Sequence, residues 1–264
     1  MGYIKKLKRM RNTIAKRTGY KLNEIEKNKL LIDYLWEHYV HGVVLIEYNQ
    51  YEFYKKKSRE RREYVCFREF EKIIEVANKK EDYKYFDNKA LFNKTFSEFM
   101  GRKWINATKD TYEQFCELCA SNKKLFVKPV DGMCGRGAYM LEIGKEMDTE
   151  AVYKRLISEK AIVEEVVSQH NEIAEFNGSS VNTLRIVTML CADDTVKIMA
   201  AVIRLGRSGQ VVDNFHNYGI VALIDSETGI IKTTGVDRDF KRYVVHPDSG
   251  KIIPGFKIPS WNNI

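Results

Sequence analysis

Leu125-Phe126-Val127-Lys128-Pro129-Val130 is an apolar run with one lysine set inside it. It leads into Asp131-Gly132-Met133-Cys134-Gly135-Arg136-Gly137, after which Ala138-Tyr139-Met140-Leu141 turns apolar again. Strand, glycine loop, strand is the order of a hairpin, whereas the Walker loop and the dinucleotide fingerprint each open a helix. The chemistry that suits such a loop is phosphate recognition. Glycines let the backbone approach closely and turn its N–H groups toward oxygens. Lys128 and Arg136 would add positive charge to the same oxygens. A plain hairpin with a snorkelling lysine carries the same letters.

Three further segments place charge where apolar residues would be expected. Ala161-Ile162-Val163-Glu164-Glu165-Val166-Val167 is a strand pattern broken by two acids. Paired acids in a buried strand are costly unless compensated. A nucleotide could compensate them, with the backbone reading an adenine edge and a carboxylate taking a ribose hydroxyl or a lysine. An edge strand with one glutamate in water is the other reading. Arg185 lies in the apolar run 181–188 and Arg204 in the run 199–205, with Arg207 following. Two arginines on neighbouring strands suit a shared anionic ligand. Asp213-Asn214-Phe215-His216-Asn217 then leads into a hydrophobic strand, as a substrate-facing loop would. Turn and capping roles serve Asp213 and His216 equally well.

The elements that would hold these groups follow from periodicity. Strands are expected at 124–130, 138–143, 161–167, 181–191, 195–205, 218–225 and 230–234, with a short one around Trp104. Helices are expected at 88–100, 109–121, 149–159 and 170–176. Before residue 82 the chain reads as a basic helical region. One helix spans 22–48, burying Leu22, Ile25, Ile32, Leu35, Trp36, Tyr39 and Val43. A second spans 58–79, with Val65, Ile73 and Val76 inside. His38 and His41 lie one turn apart on the first and suit packing or surface roles. The fold class is α+β, divided at 1–81 and 82–264, with antiparallel strands prominent after residue 180.

The 264 residues are 44% hydrophobic, enough for a sizeable core, and carry a net charge of +8. The excess is concentrated in Lys5, Lys6, Lys8, Arg9, Arg11, Lys16 and Arg17, and again around Lys55–Lys57 and Arg59–Arg62. Such runs suit an anionic membrane surface or another acidic partner, or simply a solvated face. No zinc-finger or RNP-like motif is present, and aromatics do not interleave with the basic run, so no nucleic-acid partner is expected. No stretch approaches the ~20 apolar residues that span a bilayer. The five cysteines read as reduced thiols of a cytoplasmic chain, attached to the membrane only peripherally, if at all, through its basic N-terminus. Cys116 and Cys119 read as small hydrophobes on a helix face.

Taken in order, Asn88-Lys89-Ala90-Leu91-Phe92, Phe126-Val127-Lys128-Pro129, the glycine loop and Val163-Glu164-Glu165 resemble an ATP-grasp nucleotide site. Ser180-Val181-Asn182-Thr183-Leu184-Arg185, Val212-Asp213-Asn214, His246-Pro247-Asp248 and Gly255-Phe256-Lys257-Ile258-Pro259 are similar to phrases of the sugar-transfer-associated ATP-grasp group, which is found near polysaccharide and cell-envelope genes. A more distant resemblance is to the α-L-glutamate ligase-like proteins that modify ribosomal proteins. The likeness covers about residues 82–261.

The resemblance implies two α+β subdomains clasping ATP, and ATP-dependent activation of a carboxylate for attack by an amine or thiol. The substrates would be a glycan precursor or similar acceptor and an unnamed carboxylate, with Mg²⁺ as cofactor. By this likeness Lys89, Lys128, Gly132, Gly135, Arg136 and Gly137 would hold phosphates. Glu164, Glu165, Val166 and Val167 would bind adenine and ribose. Arg185, Arg204 and Asn214 would serve the transferring group. One feature departs from the pattern. The family places magnesium on an acidic residue and a Glu-x-Asn pair of late strands, and no such pair occurs after Leu205. The C-terminal part of the fold is therefore expected to be missing and the metal ligands are unassigned, with Asp213, Asn214 and Asp225 as poor substitutes. A nucleotide-binding scaffold without catalysis is the rival expectation.

Overall fold

The structure is a computed structural model that describes residues 2–132 and 135–263. The chain divides into two compact units, Met1–Tyr83 and Lys84–Ile264.

The first unit is helical: α1 (Gly2–Thr18), α2 (Glu24–His41), α3 (Leu45–Gln50), α4 (Ser58–Arg61) and α5 (Phe67–Ala77). Asn23 and Glu26 form a reciprocal cap that starts α2, with Glu26 N donating to Asn23 Oδ1 at 2.9 Å and Asn23 N to Glu26 Oε2 at 2.8 Å. Gly42 ends it in the left-handed region at φ 75°, which a side chain would resist. The helix expected over 22–48 is thus two helices, and the one expected over 58–79 is split between α4 and α5. Ile14, Tyr34, Val43, Tyr48, Phe53 and Cys66 form the core.

Of the face expected to be buried, Leu35 and Val43 pack in the core and the rest of the stripe does not. Tyr34 and Glu37 are buried and Leu30, Leu31 and Leu35 pack beside them, while Ile32, Trp36 and Tyr39 are 67%, 63% and 65% exposed, and Ile25 is exposed too. Alpha2 is apolar on two sides, so periodicity alone picks out neither. Charge pairing decides. Arg61 donates to Asp33 at 2.9 Å and to Glu37 at 3.0 Å, and the Tyr48 hydroxyl donates to Asp33 at 2.5 Å. Only the Leu30/Tyr34 face turns Glu37 toward that cluster. In the α4–α5 region Val65, Ile73 and Val76 are exposed, not inside as expected, because α5 buries no residue at all. His38 packs as a surface element, its Nδ1 2.9 Å from the Val43 carbonyl.

The second unit begins within α6 (Tyr83–Asp87) and continues with α7 (Lys89–Thr95), β1 (Trp104–Asn106), α8 (Tyr112–Ser121), β2 (Lys124–Pro129), β3 (Tyr139–Glu142), α9 (Thr149–Ser158) and β4 (Ala161–Glu165). After α10 (Asn171–Ala174) come β5 (Thr183–Leu190), β6 (Val196–Leu205), β7 (Ile220–Ile224), β8 (Gly235–Val236) and β9 (Arg242–Tyr243). Two antiparallel sheets result, ordered β1-β4-β2-β3 and β5-β6-β7-β8-β9. In the first, Leu125, Val127 and Val163 share the face that packs on Phe115, Leu118 and Leu156 of α8 and α9. In the second, Ile203, Leu205, Ile220 and Ile224 pack against Phe176, Ile253, Ile258 and Trp261.

Most expected strands are present. The helix at 88–100 stops at Thr95, where Ser97–Phe99 tightens into a 3₁₀ turn, and β4 stops at Glu165 instead of Val167. The strand expected at 230–234 does not form. Asp225 accepts N–H bonds from Glu227 and Thr228 at 3.0 and 2.9 Å, closing a turn. Ile231 and Ile230 then make only single bridges, to Ile224 and Lys257. The short strands β8 and β9 carry no sequence signal. Cys119 lies buried on α8, and burial pushes its thiol up to about 11, in keeping with a helix-face hydrophobe.

The choice of face on α2 is testable. Tyr34→Ala should lower unfolding free energy by about 3 kcal/mol, and Trp36→Ser should change it by less than about 0.5 kcal/mol. Urea titration followed by circular dichroism reads both. The opposite ranking would restore the face expected from periodicity.

Candidate nucleotide cleft

Beta2 and β3 pair as a hairpin, with Phe126 opposite Met140 and Val127 opposite Tyr139. The alternation that buries Leu125 and Val127 turns Phe126 and Lys128 to the other face. Beta4 lies beside β2 with Glu164 opposite Phe126 and Ile162 opposite Lys128, so Lys128 and Glu164 share that face. It forms one wall of a cleft of about 930 Å³ within the second unit. Thr183 and Arg204, directly opposite each other on β5 and β6, contribute to the other wall.

Glu164 organises the first wall. Beta4 is an inner strand, between β1 and β2, so the carboxylate is buried at 2% exposure and does not stand at a wet edge. Lys128 Nζ lies 2.6 Å from its Oε1. Asn93 Nδ2 donates to the same oxygen at 2.9 Å. Arg102 donates to Oε2 from Nη2 at 2.9 Å and from Nε at 3.1 Å. Burial alone would raise the carboxyl's pKa. The Lys128 charge and hydrogen bond, then Asn93 and Arg102, outweigh it and hold it below the ordinary carboxylate value. Of the two compensations open to this glutamate, the lysine is therefore realised here, and both oxygens are engaged by protein donors.

Lys89 opens α7, where Asn88 caps the helix by accepting from Leu91 N at 2.9 Å. Its ammonium donates to the Val130 carbonyl at 3.2 Å and to the Gly132 carbonyl, which ties it to the start of the glycine loop. Burial, and then the nearby Lys128 charge, lowers its pKa. Met133 and Cys134 of that loop lie outside the described residues. Gly135, at φ 72°, approaches the second wall closely. A Cβ there would lie 2.7 Å from Asn214 Nδ2, so the loop needs glycine at this point.

On the second wall, buried Asp213 accepts from Thr183 N at 3.1 Å, from the Thr183 hydroxyl, and from Arg204 Nη2 at 2.8 Å. The same Nη2 donates to Asn214 Oδ1 at 2.6 Å. Arg204 Nε is buried with no partner among the described residues. Behind the wall Gln169 braces the chain, with Nε2 donating to the Asn177 and Ser180 carbonyls at 2.9 and 3.1 Å and Oε1 accepting from Asn182.

The residues singled out in the sequence mostly converge. Lys89, Lys128, Gly132, Gly135 and Arg136 line the cleft, and so do Glu164, Glu165, Val166, Val167, Arg204 and Asn214. Gly137 and Arg185 are not among the lining residues. Arg185 shares the sheet face of Thr183 but stands two pairs further along β5, opposite Val202, and is exposed. His216 forms a 3₁₀ turn whose carbonyl accepts from Arg238, outside the cleft lining. The sequence reading missed Asn93, Arg102 and Thr183. Arg102 sits in Gly101-Arg102-Lys103, whose pairing partner is 62 residues away.

A cleft lined by Lys89, Lys128, Arg136 and Arg204 suits a polyphosphate. Magnesium suits it less well. Both Glu164 oxygens and both Asp213 oxygens are engaged. Asp225 is held by Lys232 at 2.6 Å and by turn N–H groups. No group of three or more His, Cys, Asp or Glu able to hold a metal occurs among the described residues. The described side chains therefore do not fit a magnesium site.

The Glu164 cluster makes two predictions. Glu164→Ala leaves two cations without their partner and should cost about 3–5 kcal/mol. Because the folded pKa lies below the unfolded one, Glu164 contributes stability that is complete above the unfolded value and is lost as pH falls through the folded value. Urea titrations stepped downward from pH 7 should show a loss in that acid window which Glu164→Gln lacks. Identical acid profiles would rule out the cluster as described.

No match was found among curated proteins or among solved structures. Residues 69–264 match the sugar-transfer associated ATP-grasp family. With two antiparallel sheets, a glycine hairpin and a cationic cleft, and with most of its length covered by that match, the chain belongs to the sugar-transfer associated ATP-grasp family.

Proposed function

We propose that the cleft binds ATP and activates a carboxylate for ligation to an amine or thiol, in the making of a polysaccharide or cell-envelope glycan. The observation that carries the reading is the buried Lys128–Glu164–Arg102 cluster facing the glycine hairpin. Lys128, Lys89 and Arg136, with the N–H groups around Gly132, Gly135 and Gly137, would hold the phosphates. Adenine and ribose would lie along Glu165–Val167, past the end of β4, against Phe126 and Met140. The reading assigns residues 82–264 to the ATP-grasp domain and 1–81 to a helical appendage. It sets the chemistry in the cytoplasm, at a membrane face reached through basic α1.

In the first step a carboxylate oxygen attacks the γ-phosphorus. The bond to the β–γ bridging oxygen breaks and ADP leaves with the electron pair. In the second, the acceptor nitrogen or sulfur adds to the acyl-phosphate carbonyl, expels inorganic phosphate and gives up its proton to the departing phosphate. Arg204, oriented by Asp213 and Asn214, would bear on the transferring group, since charge neutralisation and positioning dominate phosphoryl transfer. Arg185 would act on the acceptor side, beyond the end of the cleft. Magnesium chemistry is the family's expectation, and no step here is routed through it.

One observation favours a second reading, a non-catalytic nucleotide-binding scaffold in a glycan-assembly complex. Two cleft carboxylates, Glu164 and Asp213, are already occupied by Lys128, Arg102, Arg204 and Thr183.

Millimolar ATP should raise the melting temperature, because a ligand that binds only the folded state stabilises it. Lys128→Ala should abolish the rise, with a loss of about 1.5–3 kcal/mol of binding free energy. No shift with ATP, ADP or a non-hydrolysable analogue would overturn the nucleotide assignment. ADP release with mixed carboxylates and amines then separates the readings. Binding without Mg²⁺-dependent ADP release favours the scaffold, and robust release favours the ligase.

A further inference from the structure

Alpha2 presents an apolar stripe outward, with Ile25, Ile32, Trp36 and Tyr39 at helical spacing and all well exposed. An exposed stripe of this kind on a helix that is already packed on its other side marks an interaction surface. At its Tyr39 end the stripe meets the start of α1, where Tyr3 lies beside Tyr39 and Ile4 is exposed. Lys5, Lys6, Lys8 and Arg9 follow directly and are exposed.

The acids of this hairpin are used internally. Glu24 pairs with Arg11 at 2.9 Å and Lys27 at 2.7 Å. Glu26 holds the Asn23 N–H, and Asp33 and Glu37 pair with Arg61 and Arg62. The charge that remains beside the stripe is positive.

We propose that this face of the α1–α2 hairpin docks on an anionic lipid bilayer surface. It takes up the membrane location of the function proposed above and rests on no step of the cleft chemistry. Tryptophan and tyrosine settle at headgroup depth, where an apolar ring body and a polar tip are both satisfied. Isoleucines on the same stripe reach the acyl boundary, as on helices that lie in the interfacial plane. The lysines supply the attraction to anionic headgroups. No helix among the described residues is long and apolar enough to cross a membrane, so the contact is with the surface. A second copy is the poorer occupant, since its own hairpin offers the α1 lysines few unpaired acids. A nucleic acid would use the lysines and leave the isoleucines unmatched.

The test is co-sedimentation of the full chain with phosphatidylcholine vesicles, with and without phosphatidylglycerol, at low and high salt. Three proteins are compared: wild type, Trp36→Ser/Tyr39→Ser, and Lys5→Glu/Lys6→Glu/Lys8→Glu. Wild type is expected to bind only the anionic vesicles, and more weakly at high salt. Each variant is expected to lose about tenfold or more in partitioning. Binding to neither vesicle, equal binding to both, or undiminished binding by the aromatic variant would overturn the proposal. So would a wild-type dimer that the aromatic variant converts to monomer, which would make the face a self-interface. The ATP-induced melting shift, measured on the same proteins, should be unchanged in both variants. Failure at the membrane is thereby distinguished from failure of the nucleotide assignment.

Discussion

One buried carboxylate governs the cleft. Glu164 sits on an inner strand, where an ionised side chain is tolerable only with partners, and it has three: Lys128, Arg102 and Asn93. The arrangement fixes two long, flexible cations on one wall. It also leaves that wall with more positive charge than negative. Lys128 and Arg102 share a single anion, and Lys89 leans on backbone carbonyls instead of on an acid. The depressed Lys89 pKa, caused by burial and then by Lys128, is the electrostatic sign of this surplus. A polyphosphate would relieve it, and such a ligand would match the cleft in charge before any shape is considered.

The opposite wall uses the same device with the roles reversed. Asp213 is the buried acid, and it orients a single arginine together with a threonine. Arg204 spends one nitrogen on Asp213 and Asn214 and keeps its buried Nε unpaired. Asn214 in turn meets the glycine loop at Gly135, so loop and second sheet adjoin through a contact that any side chain at 135 would block. Phosphate loop and arginine wall are thus set by contacts within one unit.

What the sequence made legible follows from this. A lysine inside an apolar strand beside three glycines is a local signal, and Lys128, Gly132, Gly135 and Arg136 line one cleft. Acids inside 161–167 were equally visible, because their cost in a strand is a local matter. Their partners were not, since Asn93 and Arg102 come from elements 71 and 62 residues away in sequence. Arg185 and Arg204 look alike as letters. Two residue pairs along β5 and β6 separate a cleft arginine from an exposed one, and register is set by pairing that no single strand records. Alpha2 failed for a different reason. Its apolar residues cover two sides, and the side that packs was chosen by ion pairs with Arg61, which lies beyond the next turn in the chain.

Charge placement also separates what binding requires from what turnover requires. Holding a triphosphate needs cations facing a common space, and the described residues of the cleft offer Lys89, Lys128 and Arg136. Phosphoryl transfer asks in addition for geometry around the γ-phosphorus that stays fixed as charge moves toward the bridging oxygen. Oxygen ligands for magnesium ordinarily supply part of that geometry, and a carboxylate can ligate only with lone pairs that are free. Glu164 and Asp213 have given theirs to lysine, arginine, asparagine and threonine. Releasing either to a metal would unpair a buried cation, a cost of the same order as the stability the pair protects. The two carboxylates that look best placed to ligate a metal are therefore the ones least able to do so. In this cleft their work is to hold Lys128, Arg102 and Arg204 in place, and the task left to the nucleotide is to complete the charge balance they leave open.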